Sequence, residues 1–354
     1  MSPKTSNTLL ASDLNQVLSE IGDDWRDLKN GRLFLTGGTG FFGCWLLESF
    51  LWANEHLGLK AKVVVLTRAP RAFRNRWPHL ANNPSLSFLR GDVRKFKFPK
   101  GAFSHVIHAA TDASAQLNDE NPLQMLDVIV EGTRRVLEFS HKTGVKKFLY
   151  VSSGAVYGDQ PESVPHIAET YRGAPDAASP RSAYGEGKRL GETLCSIFSK
   201  DTSLQTKVAR CFAFVGPYQP LDRHFAIGNF IGNVLRGEPI RLKGDGSPVR
   251  SYLYGADLAT WLWKILFRGE KCRPYNVGSK NRVTIKELAH KIADVLGPGI
   301  PVEFAKQSSP GIAPDQYVPS TKRAQSELGL RERVSLDEAI RRTAKWHRDL
   351  YQTK

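Results

Sequence analysis

The chain has 354 residues, 41% hydrophobic and 24% charged, a balance that excludes an intrinsically disordered protein and allows a large core. Lys and Arg number 50 against 35 Asp and Glu, a formal charge of +15. The basic residues are spread along the whole length, with no basic tail, RNA-binding signature or zinc-finger spacing, so nucleic acid is not an expected partner.

Residues 1–30 read as an N-terminal helical extension. No cationic region followed by an apolar run opens the chain, so no signal peptide is expected. Leu9, Leu10, Leu14, Val17, Leu18 and Ile21 recur at helical spacing, with Ser12 and Asp13 near the start. That pattern predicts an amphipathic helix covering part of the main domain. No apolar stretch is long enough for a membrane span, and the one at 258–267 is interrupted by Lys264. The four cysteines, Cys44, Cys195, Cys211 and Cys272, form no C-x-x-C pair. They point to reduced thiols and a cytoplasmic location.

From Arg32 onward, short β-branched runs alternate with longer helical patterns. Strands are predicted at 32–36, 62–67, 87–89, 105–108 and 147–152, and helices at 42–57, 123–143 and 183–199. This order implies parallel pairing with right-handed crossovers, hence an α/β fold with a doubly wound, Rossmann-type sheet over residues 31–217. The next buried strand is expected at 208–215. After Gly216-Pro217, proline and glycine become frequent. Segments 234–242, 284–296 and 335–348 read as parts of a smaller α/β substrate-binding lobe over 218–354, with short segments returning to the sheet. Ser308-Ser309-Pro310-Gly311 and Ala313-Pro314 mark a loop.

The first strand runs directly into Thr36-Gly37-Gly38-Thr39-Gly40-Phe41-Phe42-Gly43 and then into an apolar helix. Each glycine of this G-x-x-G-x-x-G has a task a side chain would obstruct. Gly37 permits the tight turn, Gly40 lets the backbone approach a pyrophosphate, and Gly43 allows helix and strand to pack closely. The helix start, at Phe41 and Phe42, presents free N–H groups and a positive dipole end. The expected ligand is NAD or NADP. The second strand ends in Thr67-Arg68 where NAD-preferring folds place an acid; Arg68 suits a 2′-phosphate, unless it belongs to a solvated basic loop. Asp92, with Val93 after the third strand, suits the adenine amino group or a turn.

Tyr184 and Lys188 stand four residues apart on a predicted helix, hence on one face. A free phenol titrates near pH 10 and is a poor base, but a nearby ammonium and an oxidised nicotinamide both favour the phenolate. Ser153, at the end of the 147–152 strand, arrives at the carboxyl edge where such folds bind ligands, either to hold a substrate oxygen or to cap the next turn.

Taken with Val106-Ile107-His108-Ala109-Ala110, Val151-Ser152-Ser153-Gly154-Ala155-Val156-Tyr157-Gly158, Arg210-Cys211-Phe212 and Pro274-Tyr275-Asn276-Val277-Gly278, these residues resemble the extended short-chain dehydrogenases/reductases. The resemblance is strongest to the nucleotide-sugar epimerases, dehydratases and decarboxylases, and covers residues 31–348. It implies that Ser153, Tyr184 and Lys188 are the catalytic hydroxyl, base and supporting lysine. It also implies that Ala109 and Ala110 line the cofactor site, and that a nucleoside-diphosphate sugar is the substrate. Asn229, within 224–231, and Arg250 match the family's diphosphate ligands; Arg250 suits the role through its planar donors, or is a surface ion-pair partner. A homodimer through the helices at 123–143 and 183–199 is also implied.

Three positions depart from the family pattern. Gly154-Ala155 stands where the 4,6-dehydratases carry Asp-Glu, so elimination has no evident proton donor. Ala155 replaces a glutamate of the decarboxylases, and Ile129 replaces the helical asparagine. The favoured reaction is therefore C4 oxidation and reduction, as in a sugar 4-epimerase. The alternatives are a 4-keto-sugar reductase, a decarboxylase or dehydratase, and a non-catalytic dinucleotide sensor. The nine histidines show no H-x-x-x-H or Cys/His spacing, so no metal is expected.

Overall fold

Seven parallel strands form the central sheet of the computed structural model, which describes residues 7–111, 115–222, 225–305 and 314–352. The first six are β1 (Arg32–Thr36), β2 (Lys62–Thr67), β3 (Leu86–Arg90), β4 (His105–His108), β5 (Lys147–Ser153) and β6 (Gln205–Cys211). Pro274–Val277 adds the seventh at the β6 edge, giving the order seventh-β6-β5-β4-β1-β2-β3. The order reverses between β1 and β4, and a crevice opens at such a reversal beyond the carboxyl ends of the strands.

Both faces are covered, so β1, β2 and β5 carry apolar residues on both of them. Phe34, Val64, Val106 and Phe148 pack with Val136, Leu137 and Phe139 on one face. Their neighbours Leu33, Leu35, Val63, Val65, Ile107 and Leu149 join Trp45, Leu46 and the helix Gly255–Arg268 on the other. The two-residue alternation of a strand thus divides one sequence run between two cores.

The strand expected at 208–215 is two strands. Residues Gln205–Cys211 belong to the large sheet, whereas Phe214–Val215 pairs with Leu253–Tyr254. One apolar run feeds both because each piece is buried, and burial alone does not mark the break. In the 234–242 segment the chain changes from the helix Ala226–Leu235 to the strand Ile240–Leu242. Residue 224 and the predicted loop at 308–313 lie outside the described residues.

The extension forms the helix Asn7–Ile21 and the 3-10 turn Gly22–Leu28. Leu10, Leu14, Val17 and Ile21 are buried, as their spacing predicts. Trp25 is wholly buried, its ring 4.9 Å from Trp263 and 5.8 Å from Phe267. Acidic groups fasten the rim: Asp24 to Lys264 (2.9 Å), Asp27 to Lys147 (2.7 Å) and His105 (3.0 Å). Among the described residues, no helix is long and apolar enough to cross a membrane.

Candidate active site

A cleft of about 1860 Å³ opens at the carboxyl edge of the sheet, running from the glycine loop past Ser153 and Tyr184 to Arg250. Gly37 has φ +73°, and a Cβ there would lie 2.4 Å from the Ala109 carbonyl oxygen. A Cβ on Gly43 would lie 2.3 Å from the Gly38 carbonyl carbon. Gly40 is different, since the nearest atom to its Cβ position is 3.6 Å away. The first and third glycines are therefore required by the protein itself, while a side chain at the second would meet open space. Gly40 also precedes the helix Phe41–His56 without a side-chain cap, so first-turn N–H groups remain for a ligand.

The opposite wall of that loop is held by a buried polar chain. Ala110 N–H donates to Thr36 Oγ1 (3.0 Å), which contacts His108 Nδ1 (2.7 Å), and His108 Nε2 contacts Thr133 Oγ1 (3.1 Å). Thr133 spends its own proton on the Ile129 carbonyl (2.6 Å). His108 must therefore carry its proton on Nε2 and accept from Thr36 at Nδ1. Burial draws this imidazole down to about 3.

Beyond the ends of β2 and β3, Arg68, Asp92 and Val93 all line the cleft. Arg94, which the sequence reading missed, grips Asp92 through Nε and Nη2 (3.0 Å each) and holds its carboxyl down at about 2. The i, i+2 spacing in Asp92-Val93-Arg94 was the available signal.

Ser153, Tyr184 and Lys188 meet on one wall. Lys188 Nζ stands 5.9 Å from the Tyr184 ring centroid and donates to Thr111 Oγ1 and to the Val151 carbonyl (2.8 Å each). An ammonium has three protons, so one remains for the cleft. Burial draws Lys188 down to about 8. Burial also raises the Tyr184 phenol above its usual range. Ser153 Oγ accepts from Ala155 N–H (3.2 Å), so the serine caps its turn as well as facing Tyr184.

The Tyr184 helix, Ala183–Asp201, is tied down by Glu192, two turns beyond Tyr184. Glu192 accepts from Ser152 Oγ (2.6 Å) and pairs with Arg210 of β6 (2.6 Å). The run Tyr184, Lys188, Glu192 repeats every four residues, a signal the sequence reading left unused. Ile129 is fully buried against Gly187, and its carbonyl is already taken by Thr133.

Arg250 faces the cleft from the strand Val249–Arg250, paired with Asp315 (2.5 Å). The ion pair of the alternative reading is present, and it sits on the cleft wall. Asn229 is not brought there: it is half-buried in the helix Ala226–Leu235, and the cleft is lined by Phe225, Ala226 and Ile227 at that helix start.

The chain is similar to several known proteins. UDP-glucuronic acid decarboxylase 1 of Arabidopsis thaliana is 29% identical over 314 residues, spanning 89% of this chain and 69% of the relative. The protein of the same name from Xenopus tropicalis is 27% identical over 317 residues, 90% of this chain and 72% of its own. Among solved structures, an epimerase from Methanothermobacter thermautotrophicus superposes with a TM-score of 0.78 at 24% identity, covering 95% and 97% of the two chains. UDP-glucuronic acid 4-epimerase from Bacillus cereus gives 0.75 at 22% identity, over 90% and 100%. Residues 33–278 match the model of one family, well over half of the chain. With the glycine loop, the switch-point cleft and this match together, the chain belongs to the NAD dependent epimerase/dehydratase family.

Proposed function

We propose that the protein oxidises C4 of a nucleoside-diphosphate sugar and reduces it again before release. The observation that carries this is the meeting of Ser153, Tyr184 and Lys188 on one wall of the cleft that also holds the glycine loop. NAD or NADP, when bound, supplies the hydride acceptor and donor. The cradle at Gly37 and Gly43, the space at Gly40 and the uncapped helix start fit its pyrophosphate. Arg68, with no acid at the end of β2, favours the 2′-phosphate of NADP.

Tyr184 takes the proton from the C4 hydroxyl while Ser153 holds the same oxygen, and Lys188 stabilises the phenolate. Arg250 exchanges Asp315 for the diphosphate, where its forked donors fit two oxygens.

The decarboxylase relatives support a hexuronate substrate. Its 4-keto form is a β-keto acid. The C5–C6 bond breaks, carbon dioxide leaves, and the electron pair passes into an enolate whose oxygen lies between Ser153 and Tyr184. No acid is needed to expel carbon dioxide, so the missing acid at Gly154 does not bar this step as it bars dehydration. C5 then takes a proton from solvent, C4 regains hydride, and Tyr184 returns its proton to the C4 oxygen. The 4-epimerase reading uses the same residues, and Ala155 in place of the decarboxylases' glutamate favours it.

Incubation with UDP-glucuronic acid, UDP-glucose and UDP-galactose, with NAD or NADP, is expected to yield a UDP-pentose and carbon dioxide from the first, identified by mass and NMR. A C4-inverted uronate would establish the epimerase instead. RNA binding with no sugar-nucleotide binding would overturn both. The unpaired cysteines support a reducing, cytoplasmic setting. Leu190 and Ile197, 44% and 49% exposed on the Tyr184 helix, support a homodimer through that face. Sedimentation at micromolar concentration is expected to show a dimer, and a monomer would refute it.

A further inference from the structure

Gly154 occupies the position where an acid stands in the dehydratases, and the reason for the glycine is steric. A Cβ there would lie 2.7 Å from the Tyr317 hydroxyl and 2.7 Å from Phe212 Cζ. The corner an acidic side chain would fill is already taken by a phenol from the C-terminal lobe. Tyr317 lies on the strand Gln316–Tyr317, paired in parallel with Val249–Arg250. Its ring packs on Phe212 with centroids 4.6 Å apart.

The Tyr317 oxygen is 3.3 Å from Ser153 Oγ and 3.3 Å from the Cys211 carbonyl. These are long contacts, of the kind that tighten when a substrate closes a site. Their directions follow from proton counting. A carbonyl only accepts, so the single Tyr317 proton points to Cys211, and the Tyr317 oxygen accepts from Ser153. Ser153 Oγ in turn accepts from Ala155 N–H. Burial keeps the Tyr317 phenol far above its usual range, hence protonated throughout.

We propose that Tyr317 is a positioning residue for Ser153: it holds the serine proton while the site is empty, which fixes the Ser153 rotamer and leaves a lone pair toward Tyr184. This rests on the assignment of Ser153 and Tyr184 as the catalytic pair. When the C4 oxygen enters, the serine proton turns from Tyr317 to it, from a side chain already in place. With Ser153 held by two fixed partners, little reorganisation accompanies the chemical step.

The test is Tyr317→Phe in the cofactor-loaded enzyme, which keeps the ring on Phe212 and removes only the hydroxyl. Turnover is expected to fall about tenfold, with KM for the sugar nucleotide within about twofold. Combining it with Ser153→Ala is expected to give the rate of Ser153→Ala alone, because both act through one hydroxyl. An unchanged kcat in Tyr317→Phe, or losses that multiply in the double variant, would overturn the proposal.

A second readout separates this from a failure of the functional reading. If the wild type turns over no sugar nucleotide, the phenol titration of Tyr184 is followed by ultraviolet difference spectroscopy against Tyr184→Phe. The charged or titratable groups facing Tyr317 are Tyr184, Cys211 and Arg250. Tyr317→Phe frees the serine proton for the Tyr184 phenolate, so its midpoint is expected to drop. In the Ser153→Ala background the same change is expected to do nothing. A midpoint that Tyr317→Phe leaves in place sinks the idea.

Discussion

Tyr184→Phe is expected to lower turnover by about a thousandfold while cofactor binding stays intact. General acid–base groups contribute on the order of 10² to 10⁴ in rate, and Tyr184 lines the cleft together with Ser153 and Lys188. The ring itself remains, and the backbone N–H of residue 184 keeps its bond to Asn118 Oδ1 (3.1 Å), so the helix start is undisturbed. Lys188 contributes only while charged, and burial has drawn it down to about 8. The wild-type rate should therefore decline above about pH 8, as the phenolate loses its ammonium. Steady-state turnover alongside a fluorescence titration of the cofactor checks both halves. A variant within tenfold of wild type would remove Tyr184 from the chemistry.

The second large effect is expected from Gly37→Ala. A non-glycine residue in the left-handed region costs about 1–3 kcal/mol, and here the new methyl would also meet Ala109 and Ala110 backbone atoms between 2.4 and 2.8 Å. Backbone cannot turn aside as a side chain can. The loop must separate from the end of β4, taking the pyrophosphate cradle with it. Cofactor affinity should fall more than a hundredfold, with a lower Tm. Gly40→Ala is the control: its methyl meets nothing closer than 3.6 Å, so the fold should survive and only the ligand be obstructed. Calorimetric titration and thermal unfolding read the two effects. Wild-type values for Gly37→Ala in both would refute the account of the loop.

Much of the sheet was legible because its buried strands are short apolar runs between longer helical patterns, and the first runs straight into a glycine turn. β1, β2 and β4 fall at their predicted positions. The strand break before Phe214 was not legible, since both pieces are equally apolar. At the site, Gly37, Ser153, Tyr184 and Lys188 sit within motifs of local spacing. Thr111 on Lys188, Asp315 on Arg250 and Tyr317 on Ser153 join residues 65 to 164 positions apart. Sequence separation of that size carries no periodic trace, and only the folded chain brings each pair together. Arg94 was closer to hand, two residues from Asp92, yet a basic residue after a turn is too common to stand out.

His108 gives the wall beside the glycine loop an unusual relation to acidity. A solvent-exposed imidazole gains its charge near pH 6.5, whereas this one stays neutral down to about 3 because burial opposes the charge. The cradle around Thr36 and Ala110 should thus keep one shape across the whole physiological range. The unfolded chain meanwhile accepts the proton that the folded one refuses. Acidification from about 6.5 toward 3 therefore erodes the fold by up to about 1.4 kcal/mol per pH unit at this single residue. A wall that does not respond to acid locally makes the molecule as a whole more sensitive to it.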